Sequence, residues 1–405
     1  MTKALYYDLP TVTECTARVV SCAEKDGRCL VSLDRTPIFP EGGGQLADGG
    51  FICFGGRELP ILACRTEGEE ILHTVPEPLE PGAAVTVRLD LARRLDHSEQ
   101  HTGEHILSGL ASTLFGAVNV GFHMAEDYCT IDLDLPLTPE QLEALELEAN
   151  RAVRGDLPVH TEVTDFEDAA SRRLRKRAEK ARGEVRIVYI DHGKVDSCTC
   201  CGTHLARTGM VGAIRITDSQ HYKGGTRLWF ACGGRAVKLG IRDRAALGAL
   251  ARRYSTSREE LPAVIEKQIN ELAALKAELK QKSALLAEST ARALLEGAPR
   301  AGDTPVICES LASANANDLR LMTDFLAGTG RAYIALLFAP GRDGTDYRMA
   351  SSGSKLDMKS LCAAVNAAVN GKGGGNKQFA QGRTARAVEP ETVKLLFDYI
   401  MKAES

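Results

Sequence analysis

Four residues in two short segments have the types and spacing of a metal site. His101 and His105 lie four apart in Gln100-His-Thr-Gly-Glu-His-Ile-Leu-Ser-Gly-Leu110, and Cys200 and His204 repeat that interval in Cys200-Cys-Gly-Thr-His204. The first segment reads as a helix, where positions i and i+4 share a face, so both imidazoles reach one ion. The second contains glycine and reads as a turn. Three imidazoles and one thiolate form a borderline-soft donor set that suits a single Zn2+ per chain. Cys198 and Cys201 crowd Cys200 and compete with it as ligand. Cys198-x-x-Cys201 also has the spacing of a redox pair, but no thioredoxin-like βαβ pattern surrounds it.

Glu104 stands between the histidines as the general-base candidate. One residue before His105 it points about 100° away around a helix, so a solvated or supporting carboxylate is the plainer reading. His101-Thr-Gly-Glu-His105 also matches the H-x-x-E-H pattern of inverzincin-like metalloproteases. Those enzymes need a downstream Glu ligand, whereas this chain offers a Cys/His pair. A DHH-type phosphoesterase would need an Asp-His-His motif, and Asp191-His192-Gly193 does not supply it.

The elements that must position these residues divide into four segments, giving an α+β multidomain chain. At 405 residues, it exceeds one typical core. Residues 1–90 hold short alternating runs such as Arg28-Cys-Leu-Val-Ser-Leu33 and Ala84-Val-Thr-Val-Arg-Leu89, broken by Gly and Pro, and are expected to form a small N-terminal β-barrel-like domain. Residues 91–245 carry the metal motifs in an α+β pattern. A helix is predicted over Pro139 to Val153, opened by the capping signal Thr138-Pro-Glu-Gln141. Residues 255–296 form a long helical connector in which Ile265, Leu272, Leu279 and Leu286 recur every seven positions. Gln268 and Lys282 interrupt that seam, leaving a helix packed on its own chain and a dimeric coiled coil both open. After a linker at Glu296–Thr304, residues 300–405 alternate strands and helices as a small α/β domain.

Composition bounds the function classes. Hydrophobic residues at 44% and charged residues at 26% describe an ordinary globular chain. The net charge of -4 excludes neither a small substrate nor RNA, since local patches outweigh the sum. No apolar run approaches bilayer length and the N-terminus has no signal-like h-region, so a cytoplasmic protein without a membrane partner is expected. The twelve scattered cysteines fit reduced thiols.

Together these motifs resemble a known family. Pro40-Glu-Gly-Gly-Gly-Gln45 with Asp48, then His101-x3-His105, then Cys200-x3-His204 resemble the editing region of alanyl-tRNA synthetases and, in the same order, the freestanding alanyl-tRNA editing proteins of the AlaX family. Gly371-Lys-Gly-Gly-Gly375 with Ala380-Gln-Gly382 resembles the DHH-associated C-terminal domain of the same synthetases, so the likeness is to the long, C-terminally extended members. Cys201 stands where the family usually has a second Gly, Asn376 where it usually has Arg, and Arg383 where it usually has Gly.

The resemblance implies a zinc-dependent ester hydrolase that removes serine, with glycine as a further candidate, from mischarged tRNA for alanine. No class II aminoacylation domain is found in these residues, so the reaction would run in trans. Zinc would either activate water or position the substrate. Gln45 resembles a family residue at the editing pocket, whose amide would bond the ester or ribose, and Thr36 resembles the threonine that meets the seryl hydroxyl. Gly42-Gly-Gly44 reads as a tight turn whose backbone forms the pocket.

The basic run Arg172, Arg173, Arg175, Lys176 and Arg177, continued by Lys180 and Arg182, is either a solvated helix face or a tRNA phosphate contact. In the last segment Lys372, Lys377 and Arg383 would serve tRNA similarly. The non-enzymatic alternative is a tRNA-binding protein with a purely structural zinc, because four protein ligands are the usual structural pattern. A homodimer would form through the helical connector or the C-terminal domain.

Overall fold

The computed structural model describes residues 2–8, 12–25, 27–176 and 183–405. The chain is a mixed α/β multidomain protein that divides into two compact units, Met1–Leu250 and Ala251–Ser405. Among the described residues no helix is long and apolar enough to cross a membrane.

The first unit opens with a seven-stranded antiparallel sheet. In spatial order its strands are Arg57–Pro60, Gly50–Phe54, Ala84–Leu89, Glu14–Lys25, Arg28–Leu33, Glu70–Val75 and Ala63–Glu67. Alternation along Ala84–Leu89 turns Val85, Val87 and Leu89 inward, where they meet Val31, Leu33, Ile52 and Val75 in one core. Pairing runs from one end strand to the other, so the expected barrel-like domain takes the form of a sheet folded about its core.

This segment does not stand apart at residue 90. Strand Ala84–Leu89 leads directly into the helix Leu91–Phe115, whose N-cap Asp90 accepts from Arg93 N and which ends on the left-handed Gly116. Gln100 to Gly109 is buried without interruption, polar residues included. Such a helix is held on every side. A four-stranded sheet (Asn119–Met124, Cys129–Leu133, Gly225–Cys232, Ile214–Tyr222) shares its core with Ile106 and Leu107. A three-stranded sheet (Val159–Asp165, Glu184–Ile190, Asp196–Thr199) brings up the cysteine segment. The helix sinks close to that segment because Gly109 has no side chain; a Cβ there would lie 2.1 Å from Val195 O. The helix Pro139–Arg154 carries the full capping box expected at Thr138 and Gln141.

The second unit is built on a six-stranded sheet ordered Arg300–Ala301, Thr304–Ser310, Tyr333–Gly341, Gly344–Ser352, Phe379–Thr384 and Lys372–Gly375, with one parallel pair, Thr304–Ser310 and Tyr333–Gly341. Leu336 and Phe338 face the helices Met358–Val369 and Pro390–Glu404, whereas Ala335 and Leu337 face the helix Ala316–Gly328. A strand covered on both sides has no polar face, which explains the unbroken apolar run the sequence shows there.

The long helix spans Leu261–Gly297. Ala287, Ala291 and Leu295 seat its last turns on this sheet, while Leu272, Leu275, Leu279 and Leu286 are exposed. The heptad leucines are therefore not what anchors the helix in its own chain.

His73 lies fully buried in the first unit, sharing a hydrogen bond between its Nε2 and Thr36 Oγ1 at 2.9 Å, with Nδ1 3.2 Å from Val31 O. Burial pushes its pKa down to about 4 from an ordinary 6.5. Below pH 6.5 the unfolded chain takes up a proton that folded His73 refuses, so stability present in full above 6.5 drains away as pH falls towards 4. The loss amounts to about 3 kcal/mol. In denaturant unfolding between pH 7 and 4, His73→Gln is expected to show a correspondingly shallower pH dependence than wild type; identical slopes would contradict this.

Candidate functional site

The buried histidine helix and the cysteine segment meet where the sequence spacing predicts. Ligating atoms of His101, His105, Cys200 and His204 all lie within 4.8 Å of one another. Bond lengths of 2.0–2.3 Å in a tetrahedral zinc site imply donor separations of about 3.3–3.8 Å, and Cys200 Sγ lies 3.3 Å from His101 Nε2. Of the three crowded cysteines, Cys200 belongs to this group. Cys201 is exposed, and Cys198 is buried in a neighbouring set with His105 and Asp196.

Each histidine has its other ring nitrogen committed elsewhere. His101 Nδ1 donates to Gln45 Oε1 at 2.7 Å, and His105 Nδ1 donates to Asp196 Oδ2 at 2.7 Å. His204 Nδ1 meets Thr102 Oγ1 at 3.3 Å, leaving its buried Nε2 without a protein partner among the described residues. Three Nε2 atoms are thus directed by partners on Nδ1, the arrangement that fixes tautomer and ring orientation in metal-binding histidines. Burial, then the neighbouring imidazoles, push the His204 pKa down to about 3, keeping that ring neutral. Burial opposes ionisation of the Cys200 thiol, yet the charge and hydrogen bonds of the histidines hold its pKa well below the ordinary value. These donors fit a zinc ion.

The turn that carries Cys200 is clamped from outside. Arg186 Nη1 donates to Cys200 O at 3.0 Å and Gly202 O at 2.9 Å; its guanidinium lies over the Tyr7 ring, and Tyr7 OH donates to Cys201 O. Gly202 is obligatory by close approach, since a Cβ there would sit 2.0 Å from His101 Cε1.

Three of the donors, His101, His105 and Cys200, line a cavity of about 670 Å³ together with Tyr7, Gly43, Glu104, Asn119, Phe122, Arg175 and Lys176. Glu104 departs from the simple helical projection. Although it is one residue before His105, its Oε2 lies 3.6 Å from His105 Nε2, because the two side chains lean towards each other. Its Oε1 accepts from Ser108 Oγ and Asn119 Nδ2, both at 2.6 Å. The carboxylate is a fixed wall of the cavity rather than a solvated group.

Other expected site residues stand differently. Gln45, expected to bond an ester or ribose, has its amide bonded within the protein: Oε1 accepts from His101 Nδ1 and Thr203 N, and Nε2 donates to Thr203 Oγ1. Thr36, expected to meet a seryl hydroxyl, is fully buried against His73 and Ile38 N, outside the residues lining the cavity. The Gly-rich turn has the expected positive φ at Gly43 and Gly44.

Arg175 is no surface cation. Its side chain is only 6% exposed and pairs with Asp196. Arg172 is bound to Glu162, Asp168 and Tyr189 OH. Arg173 and Lys176 are exposed, and Arg177, Lys180 and Arg182 fall outside the described residues.

In the second unit, Lys372 and Arg383 line a cavity of about 390 Å³, Arg383 paired with Asp346, and Lys377 is exposed. Two glycines of this loop make room for the protein's own packing. A Cβ on Gly373 or Gly382 would come within 2.5 Å or 2.1 Å of Tyr347 OH.

Sequence reasoning missed Asp196, Asn119, Arg186 and Tyr7, which carry no spacing signal. Thr102 and Thr203 were findable, since each directly adjoins a ligand histidine.

Comparison with known proteins places the metal motifs in a family. Residues 185–229, which include Cys200 and His204, match the model of the threonyl and alanyl tRNA synthetase second additional domain. Alanyl-tRNA editing protein AlaX-L of Pyrococcus horikoshii is 30% identical over 415 residues, covering 97% of this chain and 96% of that protein. The chain belongs to the alanyl-tRNA editing protein family. Within it, Aarsd1-A of Xenopus laevis is 36% identical over 242 residues, 56% of this chain and 57% of that protein, so the match spans little more than half of that relative's length. Alanine--tRNA ligase of Pyrococcus abyssi is 29% identical over 392 residues, 94% of this chain but 42% of the ligase.

If His105 owes its orientation to Asp196, Asp196→Asn should weaken zinc binding by about 10–100-fold. Competition with a chromogenic chelator measures this. Unchanged affinity would mean that Asp196 does not direct the ligand.

Proposed function

We propose that this family member is a trans-editing hydrolase that cleaves the ester joining the amino acid to the terminal ribose of mischarged tRNA for alanine, with seryl esters as its main substrate and glycyl esters as a further one. One observation carries the reading: a carboxylate, Glu104, is held beside a four-donor metal site in an open cavity large enough for an aminoacyl ester.

Zinc held by His101, His105, Cys200 and His204 would supply Lewis acidity for the attacking water and the ester carbonyl. The chain's own residues do the rest. Glu104, fixed by Ser108 and Asn119 through one oxygen, keeps the other for the proton of the attacking water. As the tetrahedral species collapses, that proton passes to the ribose oxygen, releasing free amino acid and uncharged tRNA. Gln45, Asp196 and Thr102 keep the three imidazoles in register, so no ring must reorient during the reaction.

A purely structural zinc also fits four protein ligands. The placement of Glu104 favours catalysis, because a structural site needs no carboxylate reserved next to it. A metalloprotease of the H-x-x-E-H type is disfavoured, since the positions beyond the two histidines are supplied by Cys200 and His204 rather than a Glu. For tRNA, Lys176 at the cavity and exposed Arg173, with Lys372, Lys377 and Arg383 on the second unit, are the proposed phosphate contacts.

Deacylation of seryl-tRNA for alanine, with alanyl-tRNA alongside, tests the reading. Wild type should release serine while sparing alanine, and His101→Ala and Cys200→Ala should lose at least about 100-fold in rate while tRNA affinity stays within about threefold. Glu104→Gln should retain zinc and lose about 10²–10⁴-fold in kcat. Serine release by wild type at no more than the buffer rate would overturn the editing function. A fully active Glu104→Gln would remove only its role as base.

A further inference from the structure

Arg175 belongs by sequence to a basic run, yet the fold takes it out of solvent. Its backbone N donates to Ser197 O at 2.8 Å, and Thr199 N donates to Lys176 O at 3.2 Å, so residues 175 and 176 run beside the strand Asp196–Thr199. From there the side chain passes inward, and Nε and Nη2 engage the two oxygens of Asp196 at 2.6 Å and 3.1 Å. Among the described residues, Nη1 is buried without a hydrogen-bond partner. The residue lines the same cavity as His101, Glu104, His105 and Cys200.

We infer that Arg175 is a catalytic residue of the deacylation proposed above: with one edge of its guanidinium locked on Asp196, it gives an N–H of Nη1 to the carbonyl oxygen of the scissile ester.

The inference rests on the editing reading, and three physical points carry it. An unpaired buried donor is costly, the more so when charged, a cost that a ligand oxygen in the cavity relieves. Guanidinium does not deprotonate, so it remains a donor at any working pH. A fixed cation gains most from an oxygen whose negative charge grows as the carbonyl becomes tetrahedral, and the Asp196 anchor means it need not reorganise at that moment. No proton moves to or from Arg175; the hydrogen bond strengthens as the C=O bond opens and relaxes when the ribose oxygen leaves. A phosphate contact is a poor fit for a side chain this deeply buried, and the adjacent exposed Lys176 suits that task better.

The test compares wild type with Arg175→Lys and Arg175→Gln on seryl and glycyl esters of tRNA for alanine, recording kcat and KM separately together with zinc content and thermal melting. Lysine keeps a positive charge against Asp196 but cannot span both Asp196 and the ester. The expected result is a fall in kcat of about 10²–10³-fold, equal for the two esters, with KM within about threefold and zinc at one per chain. As a second measure, millimolar guanidinium ion should restore part of the rate to Arg175→Gly.

A loss confined to the seryl ester would assign the N–H to the seryl hydroxyl, and a raised KM at unchanged kcat would assign it to the tRNA backbone. Loss that tracks zinc or folding in both variants, without guanidinium rescue, would make Arg175 only a brace for Asp196 and His105. Each of these, like unchanged kinetics, overturns the inference. If wild type itself releases no serine, the editing reading falls instead.

Discussion

Three imidazoles must offer the same ring nitrogen to one point, and the first unit is organised around that requirement. A histidine on a helix can rotate about two side-chain bonds, and only a bond to its second nitrogen stops it. Here those bonds come from separate stretches of chain: Gln45 from the Gly-rich turn, Asp196 from the strand before the cysteines, and Thr102 from the helix itself. Each stretch must therefore be in place before the donors converge. Assembly of the site and folding of the unit are coupled.

The Gly-rich turn is docked by a second buried interaction upstream of the metal ligands. Asp48 Oδ2 accepts from Phe39 N at 2.7 Å and from Arg94 Nε at 2.9 Å, while Arg94 Nη2 donates to Pro37 O at 2.6 Å. Arg94 and Asp48 are both nearly inaccessible. A buried pair of this kind contributes little net stability against an apolar substitute, because desolvation offsets most of the attraction. Its effect is on register. It sets which face of the helix receives residues 37–48, and with that it delivers Gln45 to His101. Asp48 was legible as part of a motif; its partner Arg94, two turns before His101, was not.

What could be read from sequence follows from the range of the forces involved. Alternation in Ala84–Leu89, the capping box at Thr138 and Gln141 and the i, i+4 histidines are local, and each predicted its element or its pairing. The Cys200 donor followed from spacing because a turn holds Cys200 and His204 together. Failures occurred where a side chain's partner lies far along the chain. Arg175 looked like surface charge until Asp196, 21 residues on, drew it inward. Thr36 was legible only as a family position, and its buried partner His73 lies 37 residues on. The glycines at 373 and 382 entered only as a family motif, and the atom they make room for is Tyr347 OH. A residue's type states which bonds it can make, and only the fold decides which of them are already made.

That distinction also bears on whether the centre is structural or reactive. In a site built only to hold the chain together, polar groups near the metal tend to find protein partners, since each one left unmade is costly. Gln45, Asp196 and Asn119 obey this, each committed to partners within the protein. Two charged groups in the cavity are only half committed. Glu104 has Oε1 bonded twice and Oε2 turned to the His105 side; Arg175 has one edge locked and, among the described residues, Nη1 left over. They carry opposite charges, and the structure anchors each to a different neighbour instead of pairing them. An acceptor and a donor kept apart in this way match what ester hydrolysis asks for: a base for the incoming water and a cation for the oxygen that becomes negative. Left uncommitted in the cavity, the two groups suit the ester hydrolysis proposed for this site.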